Sequence, residues 1–210
     1  MTSQRNTTIL RAAAEEVAAV GLRRTSLTDV ARRAGVSRMT VYREYGDAPT
    51  LWRSLLTEEI GAVVAVADQT ALASAKNGRE RLVTAVIEAV SRLADHPLVT
   101  RVLELDPELI LPFVVDRLGS GQQLAAERLR EMLADGVADG SIHQCDIPAA
   151  AHLLLLLAQS FVFSARVPPT DSDTAAVTAE LRQMLDGYLS APNTSAPNTS
   201  APTPPRMEPA

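Results

Sequence analysis

The sequence predicts an all-α protein, and three observations predict it. Aromatic residues make up only 3% of the chain, while hydrophobic residues make up 46% and are mostly Ala, Leu and Val. Such a core suits helix packed on helix better than strand packed on strand. Apolar residues recur at helical spacing along most of the chain, and no segment alternates convincingly with period two. Capping residues and glycines punctuate that pattern at intervals of helix length.

The first helix is expected from about Thr8 to Val20: Ile9, Ala13 and Val17 share one face, Leu10 and Val20 flank them, and Gly21 stops it. Ser26-Leu27-Thr28-Asp29 is a capping-box start for a second helix, Leu27 to Ala34, which Gly35 ends. Ser37 caps a third, Arg38 to Tyr45. Asp47 caps a long fourth helix whose stripe includes Leu51, Leu55, Ile60 and Val63, and Pro49 fits its first turn.

Lys76-Asn77-Gly78 interrupts the pattern, and a fifth helix follows to about Asp95. Pro97, Pro107 and Pro112 punctuate shorter helical pieces, and Gly119-Ser120-Gly121 leaves open whether the next helix begins near 112 or 121; Asp139-Gly140 ends it. Asp146-Ile147-Pro148 opens a strongly apolar helix to about Arg166, and a last helix runs from about Asp173 to Leu189. Residues 191–210, with Ala-Pro-Asn-Thr-Ser twice and then a proline cluster, read as a disordered tail.

Composition narrows the function. With one cysteine, Cys145, the chain forms no internal disulfide. The polar N-terminus lacks the apolar core of a secretory signal, so the chain is expected to stay in the cytoplasm. The most apolar stretch, Ala149 to Phe163, is interrupted by His152 and Gln159 and is shorter than the roughly 20 residues that span a bilayer. It reads as a buried helix, with no membrane partner. The formal net charge is −5, but its distribution is uneven. Gly21 to Gly46 carries six arginines (Arg23, Arg24, Arg32, Arg33, Arg38, Arg43) against Asp29 and Glu44. A basic head on an acidic body attracts a polyanion at one face and repels it elsewhere. An arginine-rich solvated surface would produce the same count.

Leu27 to Tyr45 reads as helix, tight turn, helix, with Ala31 small enough for close crossing and Val30, Ala34, Val36 and Val41 holding the pair. Arg38, Met39, Thr40, Tyr42 and Arg43 are left on the outer side of the third helix, which suits a major groove. An ordinary helical hairpin with a polar face is the plainer alternative.

The run from Gly21 through Thr25-Ser26, Val30-Ala31, Ala34-Gly35-Val36-Ser37, Val41-Tyr42 and Tyr45 resembles the N-terminal DNA-binding domain of the TetR family of transcriptional regulators. The resemblance covers about residues 8 to 60. It implies a helix-turn-helix domain over 1–60, a helical effector-binding and dimerisation domain over 61–190, and a homodimer on a palindromic operator. A small effector would alter DNA affinity. Arg38, Met39 and Thr40 would then face base edges, Arg38 being suited to guanine. Ser26, Thr28, Tyr42 and Arg43 would contact phosphates, and Ser37 belongs to the same DNA-facing set. Tyr45 and Trp52 are expected in the core. Ala48-Pro49 departs from the Lys-Glu common in the family at the start of the fourth helix.

The helices about 147–165 and 173–189 would form the dimer contact, because Leu153 to Leu157 is apolar all round, with His152 a hydrogen-bonded interface residue. An effector pocket is expected among residues 80 to 165, with Phe113, Gln159 and Phe163 as lining. Repressor action is the first expectation; an activator and an effector-independent binder are alternatives. An enzyme is not expected. His96, His143 and His152 lie far apart and no phosphate-cradling loop is present. His143-Gln144-Cys145 is the one weak candidate for metal sensing, and no cofactor or metal is implied.

Overall fold

Caps and left-handed glycines set the helix limits. The computed structural model describes residues 2–106, 108, 118–164 and 173–190. Among these the chain forms nine helices: α1 (Thr2–Val20), α2 (Leu27–Ala34), α3 (Arg38–Tyr45), α4 (Ala48–Ser74), α5 (Gly78–Ala94), α6 (Pro97–Leu105), α7 (Ser120–Ala138), α8 (Ile147–Ser164) and α9 (Thr174–Leu189). The extended structure among the described residues is one isolated antiparallel bridge, between Ile142 and Ser190. The starts of α2, α3, α4, α5 and α9 are each held by a side chain, from Ser26, Ser37, Asp47, Asn77 and Asp173, that accepts a hydrogen bond from a backbone N–H three residues on.

Two expectations need correction. The first helix starts at Thr2, not Thr8. Its extra residues are polar, so burial periodicity carried no signal there; Thr8 Oγ1 bonds the Gln4 carbonyl and Asn6 accepts a hydrogen bond from the Tyr45 hydroxyl. Val20 lies in line with the buried stripe but is 37% exposed, because the last turn of α1, Ala18 to Val20, is exposed as a whole. Of the two starts left open for the helix after the proline-punctuated region, the later one holds: it begins at Ser120, with Gly121 in its first turn, where a Cβ would stand 2.7 Å from Ile60 Cδ1. Phe113, the expected end at Arg166 and the expected tail 191–210 lie outside the described residues.

Burial sorts the apolar residues into two cores. The first takes Ile9, Ala13 and Val17 from α1, Val30 and Ala31 from α2, Val41 and Tyr45 from α3, Leu51 and Leu55 from α4, and Leu98 and Val102 from α6. The second is built from α5, α7, α8 and α9 with Ala71 at the end of α4; Leu82, Leu133, Leu154, Leu185 and Leu189 are its most enclosed large side chains. The 27-residue α4 runs from one core into the other. Helix α8 is long and apolar enough to cross a membrane, yet Ala150, Ala151, Leu154, Leu155 and Val162 on one side of it are buried in the second core. Its other side, with Leu153 and Leu156, is exposed.

Inside the second half, α4, α5 and α7 are tied by one buried carboxylate. Asp68 receives Arg81 Nε at 2.9 Å and also the Arg128 guanidinium, while Arg81 reaches Asp135 at 3.2 Å. Burial pushes the Asp68 carboxyl up, but the hydrogen bonds from Arg81 and Arg128 outweigh it and hold it below the usual carboxylate range. Asp68→Asn should therefore cost about 1.5 to 3 kcal/mol at neutral pH. The depressed value makes this stability complete above about pH 4, the ordinary aspartate range, and loses it as pH falls through the lower folded value. Urea denaturation at several pH values checks this: the gap between parent and variant should narrow only in acid.

Candidate nucleic-acid interface

The α2–α3 unit is built by short-range hydrogen bonds. Ser26 Oγ accepts from the Asp29 amide at 3.2 Å and the Ser26 amide donates back to Asp29 Oδ2 at 3.3 Å, completing the expected capping box. Gly35 adopts φ 66°, a left-handed conformation that costs glycine little, and Val36 N–H returns to the Ala31 carbonyl at 3.0 Å. Ser37 Oγ then accepts from the Thr40 amide at 3.1 Å and lies 2.8 Å from the Thr40 hydroxyl. Val30, Ala31 and Val41 are buried in the crossing, with Ala34 and Val36 partly buried beside them.

The opposite side of α3 is open. Arg38, Met39, Tyr42 and Arg43, at helical spacing on one face, are exposed, Met39 by 70% and Tyr42 by 54%. Ser26, Thr28 and Ser37 are exposed at the starts of α2 and α3. Thr40 is half-buried, and its hydroxyl meets Ser37. Tyr45 is buried, and burial, with smaller contributions from Glu44 and Glu58, pushes its phenol up to about 12. Trp52 packs against the same core.

The six arginines of the basic segment divide into two sets. Arg32 pairs with Asp29 at 2.9 Å, Arg33 with Glu16 at 2.5 Å and Glu15 at 3.5 Å, and Arg23 with Asp106 at 3.6 Å and with Glu108. Arg24, Arg38 and Arg43 have no carboxylate partner among the described residues. The guanidinium groups on α3 are therefore available to an anion without breaking an internal pair, and those on α2 are not.

A second feature lies behind this surface. Asp106, just past the end of α6, is 3% exposed, and its Oδ2 accepts from the Leu22 amide at 2.8 Å and from the Arg23 amide at 3.4 Å. Gly21 permits the approach: it has φ 87°, and a Cβ there would stand 2.8 Å from Leu105 Cδ1. The α1–α2 turn is thereby fastened to α6. Nothing local in the sequence marks this contact, since 84 residues separate Leu22 from Asp106.

The family described as "Bacterial regulatory proteins, tetR family" matches residues 9–47. An HTH-type transcriptional regulator of Mycobacterium bovis is 37% identical over 181 residues, covering 86% of this chain and 92% of that protein. The chain belongs to the TetR family of transcriptional regulators. Solved structures of transcriptional regulators share the fold over nearly the whole length. The transcriptional repressor QsdR of R. erythropolis aligns with TM-score 0.66 and 16% identity over 90% of this chain and 97% of its own. The transcriptional regulator FadR of Bacillus subtilis, in complex with stearoyl-CoA, aligns with TM-score 0.61 and 20% identity over 87% and 98%. Family and relatives are transcriptional regulators, not enzymes.

The position where many TetR-family members carry lysine is the half-buried Ala48, followed by the exposed Pro49, at the start of α4. The loop candidate for metal sensing has other contacts. His143 stacks edge-on against Tyr188 with ring centroids 5.5 Å apart, and burial, then Asp146, pushes the Cys145 thiol up. Among the described residues no group of three or more His, Cys, Asp or Glu is placed to hold a metal ion.

Truncating Asp106 tests the fastening. Asp106→Ala leaves the buried Leu22 amide without its acceptor, which should cost about 1 to 3 kcal/mol in urea denaturation. Amide exchange at Leu22 should accelerate while exchange within α8 stays as in the parent.

Proposed function

We propose that this TetR-family chain is a cytoplasmic repressor whose homodimer binds a palindromic operator through α3 and leaves it when a small molecule occupies the C-terminal half. The observation that carries the reading is the division of the arginines: Arg38 and Arg43 stay unpaired on an open helix face while their neighbours on α2 are neutralised. Arg38, Met39 and Thr40 read base edges, Arg38 by the bidentate contact that suits guanine. Ser26, Thr28, Ser37, Tyr42, Arg43 and the uncommitted Arg24 hold phosphates. Residues 1–60 act as the DNA-reading domain and 61–190 as the effector and dimerisation domain.

Dimerisation through α8 and α9 is supported by their outer faces. Leu153 and Leu156 on α8 and Met184 and Tyr188 on α9 are each between 41 and 49% exposed. His152 and Ser160 continue the α8 stripe at helical spacing. Two copies would close these faces into a four-helix contact. Binding of a small molecule has a parallel in FadR of Bacillus subtilis, whose structure is a complex with stearoyl-CoA.

Operator sites come from sequencing genomic fragments that the purified protein retains. On such a site Arg38→Ala should lose about 1 to 3 kcal/mol of affinity, with a much smaller loss on random duplex. Equal losses on both would assign Arg38 to phosphate and remove the base-reading role. Leu156→Arg places a charge in the proposed dimer face. Sedimentation at micromolar concentration should give twice the chain mass for the parent and the single-chain mass for the variant, and a monomeric parent would refute the dimer.

A further inference from the structure

A cavity of about 180 Å³ lies between α4, α5, α7 and α8, walled by Leu56, Ile60, Val86, Leu129, Met132 and Phe163 among others. It exceeds the roughly 150 Å³ apolar cavity that takes up benzene in an engineered protein. Among the described residues, the polar side chains of its wall are hydrogen-bonded, ion-paired or, as with Ser120 and Arg53, exposed, with one exception. Thr57 Oγ1 donates to the Arg53 carbonyl at 2.8 Å, and Gln122 Oε1 accepts from the Gly119 amide at 2.6 Å. Arg128 is neutralised by Asp68 and Glu131. Arg53 is exposed and lies near Asp47, whose carboxyl is held below the usual range by its bonds from Thr50 and, in smaller part, by Arg53.

Gln159 is the exception. It lines the cavity from α8, and its Nε2 is fully enclosed with no hydrogen-bond partner among the described residues. An enclosed donor left unpaired costs free energy that an incoming acceptor recovers. A charged group would gain no such match inside, since among the described residues the enclosed wall offers no unpaired counter-ion, Arg53 being exposed, and an unpaired buried carboxylate is costly.

We infer that the cavity takes an uncharged, mainly hydrocarbon molecule carrying one carbonyl oxygen, which accepts a hydrogen bond from the Gln159 amide. The inference rests on the reading of the C-terminal half as an effector site and names the chemical class of that effector.

The test uses the full-length protein without DNA and three probes of matched chain length: 2-octanone, n-octane and octanoate. Calorimetry gives Kd for the ketone and the carboxylate, and the shift in Tm reports the alkane. The ketone should bind more tightly than octanoate, and Gln159→Leu should weaken the ketone roughly 5- to 10-fold, the worth of one neutral hydrogen bond, while the Tm shift with n-octane is retained. Ala125→Phe, on the α7 wall, should abolish binding of ketone and alkane together; circular dichroism and operator affinity show whether this variant is folded. Tighter binding of octanoate, unchanged ketone affinity in Gln159→Leu, or no binding of the ketone overturns the inference. Operator release is scored separately. Gln159-dependent ketone binding that leaves the operator occupied supports the inference and refutes release by this ligand. Release by another compound, blocked by Ala125→Phe while the ketone does not bind, does the reverse.

Discussion

The hydrogen bond from the Leu22 amide to the buried Asp106 carboxylate is the contact on which the placement of α2 and α3 depends. It fixes the turn that leads into α2, and that turn exists in its observed form because Gly21 adopts a positive φ and leaves space for Leu105. A second link runs in parallel, since Leu98 and Val102 of α6 are buried in the same core as α1, α2 and α3. The third is α4, which is continuous between the two cores. Position of α3 is thus set partly by helices far along the chain, and a carboxylate with backbone donors is a directional way to transmit it.

Much of the fold was legible because local rules decide it. The limits of α2 and α3 follow from Ser26, Gly35 and Ser37, whose capping bonds span only three or four residues. The start of α1 was not legible: its first turns bury nothing apolar, so neither periodicity nor a cap marked them. Val20 was misplaced because flanking the stripe in a helical projection does not guarantee a neighbour there. At the candidate site, the open face carrying Arg38, Met39, Tyr42 and Arg43 was readable from spacing, whereas half-burial of Thr40 was not. Which arginines are neutralised could not be read either. Glu16 and Asp106 lie 17 and 83 residues from the arginines they serve, and only the folded chain brings them together. Gln159 and Phe163 do line the expected cavity, but the lack of a partner for the Gln159 amide is a property of three-dimensional packing.

The electrostatics follow the same division. A chain of net charge −5 can attract a polyanion when its acids neutralise the arginines of α2 and Arg23 of the α1–α2 turn and leave those of α3 uncovered. Charge count alone does not distinguish such a surface from an evenly paired one, and the pairing does.

The direct measurement of this account is the salt dependence of operator affinity for two double variants, Arg38→Gln with Arg43→Gln and Arg32→Gln with Arg33→Gln. Each pair removes two positive charges per chain. If α3 carries the uncommitted cations, the first pair should flatten the slope of log affinity against log salt by about 0.9 for every phosphate contact it loses, and the second should leave the slope close to the parent's. Equal flattening by both pairs, or flattening by the α2 pair alone, would contradict the assignment of the DNA-facing surface.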